Sequence, residues 1–440
     1  MNYDNFRDVY IERYGYSNLE SIELASKVRE VTIQVTEACN LACTYCYQIQ
    51  KSPKIMSWNT AKACIDSLYR MATSPIEDSP FINNTTESVI LDFIGGEPLL
   101  EIELIDKITG YFIEKALQEK PLWAETFMVS FATNGTLYNT FAVQKFVNKY
   151  TDHLSISVSI DGTKEMHDAC RVFPDGSGSF DLAYAAQKEV ERFYGRGQGT
   201  KATISRENMV MLPETIKYYI NEGYTRIHAN TIYEPDWTPE DGQLFYQKLK
   251  EMANILLPYN EYIHISLFEN NFFHPKDDPL QCWCGGYTSM LAFDTEGNMF
   301  PCIRYMESSL GSDAPPIIIG DAWHGMYYTP EQQELKKCLS CITWQSQNDE
   351  ECRNCPIAQG CADCAAESYQ HFGVLNKRHK LGSCWVHRAR SLANVYYWNM
   401  YYRQNGSSDR FHRYLPDDIA LQIISPEELA FLNKLESTEE

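Results

Sequence analysis

Three cysteines stand in one short stretch, Cys39-Asn-Leu-Ala-Cys43-Thr-Tyr-Cys46, just after the strand-like alternation Val31-Thr-Ile-Gln-Val35. Few features constrain a chain more. Three thiolates so close in sequence can hold three irons of a [4Fe–4S] cluster, cysteines being the usual ligands of such clusters. Three ligands for four irons leave one iron open, and an open metal position is where chemistry occurs. Zinc would need a fourth ligand nearby, and none follows.

The spacing Cys-x3-Cys-x2-Cys, with the aromatic Tyr45 before the third cysteine, resembles the radical S-adenosylmethionine (SAM) enzymes. In that family the open iron is chelated by SAM, and the reduced cluster cleaves SAM to a 5′-deoxyadenosyl radical. The resemblance implies a partial (β/α)6 barrel with its chemistry at the C-terminal ends of the strands.

The pattern after Val31 agrees with that class. Strand and helix signals alternate, which predicts a parallel sheet. Strands are expected near Val31–Thr36, Ser88–Ile94, Thr126–Thr133, Leu154–Ile160, Lys201–Ser205 and Arg226–Ile232, with helices including Asn59–Met71 and Leu104–Leu117. The expected division is 1–30 a helical segment around Glu20–Val28, 31–233 the barrel, 234–281 a linker with one helix (Asp241–Leu256), 282–385 a cysteine-rich domain, and 386–440 a helical tail.

The second strand runs into Gly95-Gly96-Glu97-Pro98. Paired glycines allow close approach of a ligand to backbone, and Glu97 adds an acceptor. In the family this segment meets the SAM amino group. Asn134, Ser159 and Arg171 each end or follow an expected strand. The resemblance places a hydroxyl and a basic group there, on SAM ribose and carboxylate; a turn-stabilising Asn or a surface Arg is the plainer reading. Tyr45, Gly95, Gly96, Glu97, Asn134, Ser159 and Arg171 are thus the cofactor-binding candidates.

The chain has 15 cysteines, ten of them between residues 282 and 384. In a reducing compartment such clustering indicates metal rather than disulfides. Cys64 falls on the apolar face Ala61, Ile65, Leu68, Met71 and is expected in the core, as is Cys170. Cys284-x12-Gly297-x4-Cys302, then Cys352-x2-Cys355-x5-Cys361-x2-Cys364, then Cys384, resembles the SPASM extension of peptide-modifying radical SAM enzymes. One spacing departs, Cys361 to Cys364 having two intervening residues where the family has three. The resemblance implies two auxiliary [4Fe–4S] clusters. Cys284, Cys302 and Cys364 would hold the first, with Cys282 an alternative fourth ligand; Cys352, Cys355, Cys361 and Cys384 would hold the second. Cys338 and Cys341 are left over, and with Cys352 and Cys355 would make a zinc-like site instead. Gly297 suits a hairpin turn. Farther on, an amphipathic aromatic helix is expected over Trp385–Arg403, and Ser425-Pro-Glu-Glu428 reads as a capping box.

Composition excludes other classes. Net charge is −21, which argues against a nucleic-acid partner. No apolar run approaches a membrane span, and the first residues lack a signal-peptide pattern, so a cytoplasmic location is expected. The reading is a radical SAM maturase installing a thioether or C–C cross-link in a ribosomally made precursor peptide, fed by an external low-potential electron donor. A formylglycine-forming sulfatase maturase is the alternative. Those enzymes carry an Asp base just after the second SPASM cysteine, where this chain has Ile303 and Arg304. A non-enzymatic electron carrier or zinc scaffold is the third reading.

Overall fold

The computed structural model describes residues 28–76, 79–194, 200–260, 263–278, 280, 284, 286 and 290–437. The chain divides into two compact units. One comprises residues up to Asn40, Tyr47–Ser157 and Cys284–Cys341; the other Leu41–Cys46, Val158–Trp283 and Ile342–Glu440.

The first unit is built on an eight-stranded sheet. Its strands are β1 (Val28–Gln34), β2 (Ser88–Ile94), β3 (Phe127–Thr133), β4 (Leu154–Val158), β8 (Met290–Phe293), β9 (Asn298–Phe300), β10 (Gly320–Asp321) and β11 (Gly325–Met326). Their order across the sheet is β11-β10-β9-β8-β1-β2-β3-β4. β1 pairs in parallel with β2 (Ile33 opposite Phe93), and β2 with β3 (Leu91 opposite Val129). Val31, Ile33, Leu91 and Phe93 are buried, and so are Thr32 and Gln34 on the other face. A parallel strand covered on both sides has this signature. Helix α1 (Trp58–Ala72) starts where the Ser57 hydroxyl accepts from Thr60 N, and buries Ala61, Cys64, Ile65, Leu68 and Met71, the face expected. Tyr69 of α1, Phe112 of α2 (Ile102–Glu119) and Trp123 pack ring on ring, with centroids 5.0–5.7 Å apart.

The cysteine-rich segment contributes to this same sheet. β8 lies parallel beside β1, pairing Ile33 with Phe293. The chain then reverses at Gly297, whose φ of 85° is the left-handed value a tight turn requires. Asp294 Oδ1 accepts from Glu296 N and Asn298 N, closing the hairpin.

The second unit holds a three-stranded parallel sheet, β5 (Thr200–Ile204), β6 (Arg226–Thr231) and β7 (His264–Ile265). The six expected strands are all present, but they divide between two sheets after β4. The region expected as a linker carries α3 (Pro239–Leu256), capped by reciprocal Thr238–Asp241 bonds and burying Phe245, Leu249, Met252 and Leu256. Helix α4 (Cys384–Gln404) packs extensively against it.

Two expectations need correction. α4 is not amphipathic: its polar residues go inward with partners. Asn394 Nδ2 donates to Leu267 O at 2.8 Å, Asn399 exchanges bonds with Phe411 backbone at 2.9 and 3.0 Å, and His387 Nε2 meets Ile357 O at 2.7 Å. Ser425 caps α5 (Pro426–Glu436), but the box is half made. Glu428 turns instead to Lys250 Nζ, 2.6 Å away, because a cation is a better partner than a backbone N–H. Of the helical stretch expected over Glu20–Val28, all but Val28 lies outside the described residues, and Val28 opens β1. Among the described residues no helix is long and apolar enough to cross a membrane.

Candidate functional site

In the first unit the site starts at the ends of β1 and β2. Gly95 and Gly96 leave β2 directly against the chain following β1. A Cβ on Gly96 would lie 2.4 Å from Ala38 O and 2.6 Å from Cys39 Cβ, so only glycine lets the two strand ends meet there. Glu97 N donates to Ala38 O at 2.9 Å and completes the junction. The buried Glu97 carboxylate accepts from Leu99 N at 3.1 Å, Thr133 Oγ1 at 2.7 Å and Asn134 N at 2.8 Å, tying the end of β2 to the end of β3. Asn134 in turn donates to Asn40 Oδ1 at 2.8 Å and accepts from Thr136 N at 3.0 Å. The glycine pair, Glu97 and Asn134 thus form one framework that holds Cys39 in place.

In the second unit the loop bearing Cys43 and Cys46 is laced to the segment carrying Arg171. Ala42 N donates to Val172 O at 2.8 Å and Thr44 N to Cys170 O at 3.0 Å. Between them lies Asp161, fully buried, which takes Arg171 Nε at 3.0 Å, Thr203 N at 3.1 Å and the Tyr45 hydroxyl. The Arg171 guanidinium also lies over the Tyr45 ring, 5.4 Å from its centroid. Burial pushes the Tyr45 phenol well above its ordinary range, so it stays protonated and donates. Burial pulls the Arg171 pKa down, yet the Asp161 carboxylate outweighs it and holds the cation charged. Ser159 is half-buried on the chain between β4 and Asp161. Asp161 is the residue that sequence reasoning passed over; an acidic residue directly after a strand of apolar alternation, in Ser-Ile-Asp-Gly, was its signal.

Behind Arg171, His167 Nε2 meets Ser179 Oγ at 3.0 Å, and that hydroxyl donates to Arg171 O at 2.8 Å. Burial lowers the His167 pKa to about 4, so its ring is neutral. Cys64 and Cys170 are both fully buried, as expected of packing residues, with Cys170 Sγ 3.5 Å from Ser205 Oγ.

Of the later cysteines, Cys284 and Cys302 lie in the first unit. A Cβ on Gly286 would stand 3.5 Å from Cys284 Sγ and 3.8 Å from Cys302 Sγ, so the two sulfurs flank one glycine. Cys282 lies outside the described residues, and Cys364 belongs to the second unit. Ile303–Tyr305 form one short turn after Cys302, with the Arg304 guanidinium 4.9 Å from the centre of the Tyr47 ring. Cys338 and Cys341 are exposed at the end of the helix Pro330–Ser340.

Cys352, Cys355, Cys361 and Cys384 share the second unit, and their thiols perturb one another. Burial first, then the other thiols, raises Cys352 to about 12 and Cys384 to about 11; Cys361 acts on both, and Cys355 on Cys384. Such thiols give up protons to a metal, not to water. Cys352 N donates to Asp349 Oδ1 and Cys355 N to Cys352 O, forming a tight CxxC turn. Cys384 opens α4. Among the described residues no three cysteine sulfurs lie within 4.8 Å of one another. Four cysteines in one unit, each able to take one iron corner, are a donor set that a [4Fe–4S] cluster uses.

The metal-capable group that does close within that limit, among the described residues, is Glu367, His371 and His379. Its geometry is that of an ion pair. His379 Nδ1 meets Glu367 Oε1 at 2.7 Å and Nε2 meets Asp236 Oδ1 at 2.6 Å. The Glu367 bond, ahead of the other contributions, raises the His379 pKa. His371 stacks flat on the His379 ring at 4.0 Å, so their ring lone pairs do not converge on one point.

Most of the chain superposes on solved structures. The protein anSMEcpe, solved with bound AdoMet and a peptide termed Cp18Cys, matches with a TM-score of 0.57 over 93% of this chain and 99% of its own, at 15% identity. The chain shares the fold of that solved structure. An uncharacterised protein of Methanocaldococcus jannaschii is 30% identical over 200 residues, 46% of this chain and 61% of its own length. The mycofactocin maturase MftC of Mycobacterium tuberculosis is 28% identical over 190 residues, 42% of this chain and 40% of its own. The chain thus spans about half the length of the curated relatives it matches first. No family model matches it.

Proposed function

We propose that the chain is a radical SAM maturase acting on a ribosomally made precursor peptide and closing a cross-link, thioether or C–C, in it. The observation that supports this most is Cys39-x3-Cys43-x2-Cys46 placed after β1, with Gly96 fitted against Cys39. Cys39, Cys43 and Cys46 would hold the [4Fe–4S] cluster that binds SAM. When bound, that cluster and SAM supply the radical that abstracts hydrogen from the peptide. On motif position, Gly95, Gly96 and Glu97 are assigned to the SAM amino group, and Ser159, Arg171, Asn134 and Tyr45 to the rest of the cofactor. Within the second unit, Arg171 commits Nε to Asp161 and keeps its positive charge, as a carboxylate partner requires. Cys284, Cys302 and Cys364, with Cys282, would hold one auxiliary cluster, and Cys352, Cys355, Cys361 and Cys384 the other. An external low-potential donor would supply electrons.

Formylglycine formation is the second reading, because a named sulfatase maturase is among the sequence relatives. It needs a base after the second SPASM cysteine. Ile303 and Arg304 occupy that place, and Arg304 is engaged with Tyr47. A cross-linking reaction can use the substrate's own thiolate instead, activated by coordination to an open iron. The test is anaerobic incubation of reconstituted protein, SAM and reductant with a cysteine-bearing peptide encoded beside the gene. The expected product is lighter by about 2 Da per link, two hydrogens having left. An aldehyde on a sulfatase-type peptide, with no link on any cysteine peptide, transfers the assignment to the second reading.

A further inference from the structure

Arg378 is a buried cation with no carboxylate paired to it. It is 7% exposed, and among the described residues no Asp or Glu oxygen lies within the 4.0 Å of an ion pair with it. Asp363 acts on its charge from beyond ion-pair distance. Arg378 Nη2 donates to Cys361 Sγ at 2.9 Å, Ser383 Oγ at 3.0 Å and Ala362 O at 3.1 Å. Its Nε, also buried, has no partner. One face of the guanidinium is covered by Trp344, 4.6 Å from the ring centre. Arg378 N is itself fixed by Gln347 O at 3.1 Å. A guanidinium in such a place is costly unless an anion compensates it. Four thiolates on a [4Fe–4S] core carry net negative charge, which becomes more negative by one unit on reduction. The cation bonded to Cys361 therefore stabilises the reduced form over the oxidised one.

We propose that Arg378 raises the reduction potential of the cluster held by Cys352, Cys355, Cys361 and Cys384. The step is a one-electron transfer to that cluster from the peptide radical left by hydrogen abstraction: the peptide carbon is oxidised by one electron, and the charge stays on the iron–sulfur core. The inference rests on the cluster assignment made above. Two things distinguish Arg378 from an ordinary structural arginine: the bond from Nη2 goes to a ligand sulfur, and no carboxylate pairs with the charge. Charge and hydrogen bonding at ligand sulfurs are established controls on cluster potential.

The test is a dithionite redox titration followed by electron paramagnetic resonance. It uses full-length chain carrying Cys39, Cys43 and Cys46→Ala, so that only auxiliary signals remain. Iron and sulfide are first measured with Arg378 present; protein lacking four irons at this site refutes the cluster assignment itself. With the cluster present, Arg378→Gln is expected to disfavour reduction of one signal at least tenfold, which is 59 mV for one electron. The other signal should not move. Arg378→Lys, keeping the charge, should bring the potential back toward that of the arginine protein. An Arg378→Gln protein with full iron and an unmoved potential overturns the proposal. If Arg378→Gln loses four irons, the lysine variant decides: retention supports a role for charge, and loss in both shows a role in shape alone and overturns it.

Discussion

Arg171 Nε lies 3.0 Å from Asp161 Oδ2, and Asp161 has no exposure to solvent. Tyr45 joins the same carboxylate, so one buried acid orients both the residue before Cys46 and the arginine facing Cys43. Removing that acid leaves a nearly buried guanidinium without its counter-charge. Asp161→Asn is expected to cost about 3 kcal/mol, read as a lower urea midpoint with an unchanged denaturant slope. Tyr45→Phe, which removes one hydrogen bond, should cost about 1 kcal/mol. Equal losses in the two variants contradict the central place given to Asp161.

His167 makes stability depend on pH in a definite direction. Its folded pKa is about 4 against 6.5 for the free side chain, mainly through burial. Between those values the unfolded chain binds the proton and the folded chain does not, so stability rises with pH. The contribution is complete above 6.5 and is lost as pH falls toward 4, about 3 kcal/mol in all. Denaturation of the natural chain and of His167→Gln at pH 7.5 and pH 5 checks this. The difference between the two proteins should shrink at the lower pH, and a constant difference contradicts it.

Gly96→Ala places a methyl group 2.4 Å from Ala38 O, a backbone atom that cannot swing aside. Overpacking of this kind costs about 1–3 kcal/mol. Because the displaced chain includes Cys39, the larger expected effect is loss of iron from the SAM site, seen as fewer irons per chain and little 5′-deoxyadenosine. Glycine at 96 being replaceable with full iron content contradicts the fit.

Iron analysis tests the cysteine groups. Three full clusters give about twelve irons per chain, and Cys39, Cys43 and Cys46→Ala together should leave about eight while abolishing 5′-deoxyadenosine formation. Zinc in place of the auxiliary iron contradicts the assignment, as does SAM cleavage surviving the triple change.

Much of the architecture could be read from local pattern. The six strands were legible because Val, Ile and Phe recur at strand period between turn residues, and α1 because Ala61, Ile65, Leu68 and Met71 recur at helical period. What failed is what only tertiary partners decide. Asn394, Asn399 and His387 look like the wet face of a helix until Leu267, Phe411 and Ile357 supply backbone partners. Glu428 looks like a cap until Lys250 arrives from a distant helix. At the site, the cysteine spacings and the glycine pair carried their message in order along the chain. Arg378 did not, because it sits in Lys377-Arg378-His379-Lys380, a run that reads as solvated charge. All four residues find acidic or aromatic neighbours, and Arg378 also turns to sulfur.

The pairing of β8 with β1 bears on how this protein can be taken apart. β1 is flanked on both sides, by β2 and by β8, and β8 comes from beyond residue 281. A chain cut there would present the hydrogen-bonding groups of Glu30–Ile33 as a bare edge beside fully buried Val31 and Ile33. Bare, apolar edges recruit other strands. A truncated chain meant to isolate the SAM-binding half would therefore aggregate rather than report on that half. The cysteine-rich segment came to share the fate of the barrel strand it completes, and deletion is the wrong instrument for separating their roles; point changes at single cysteines are the right one.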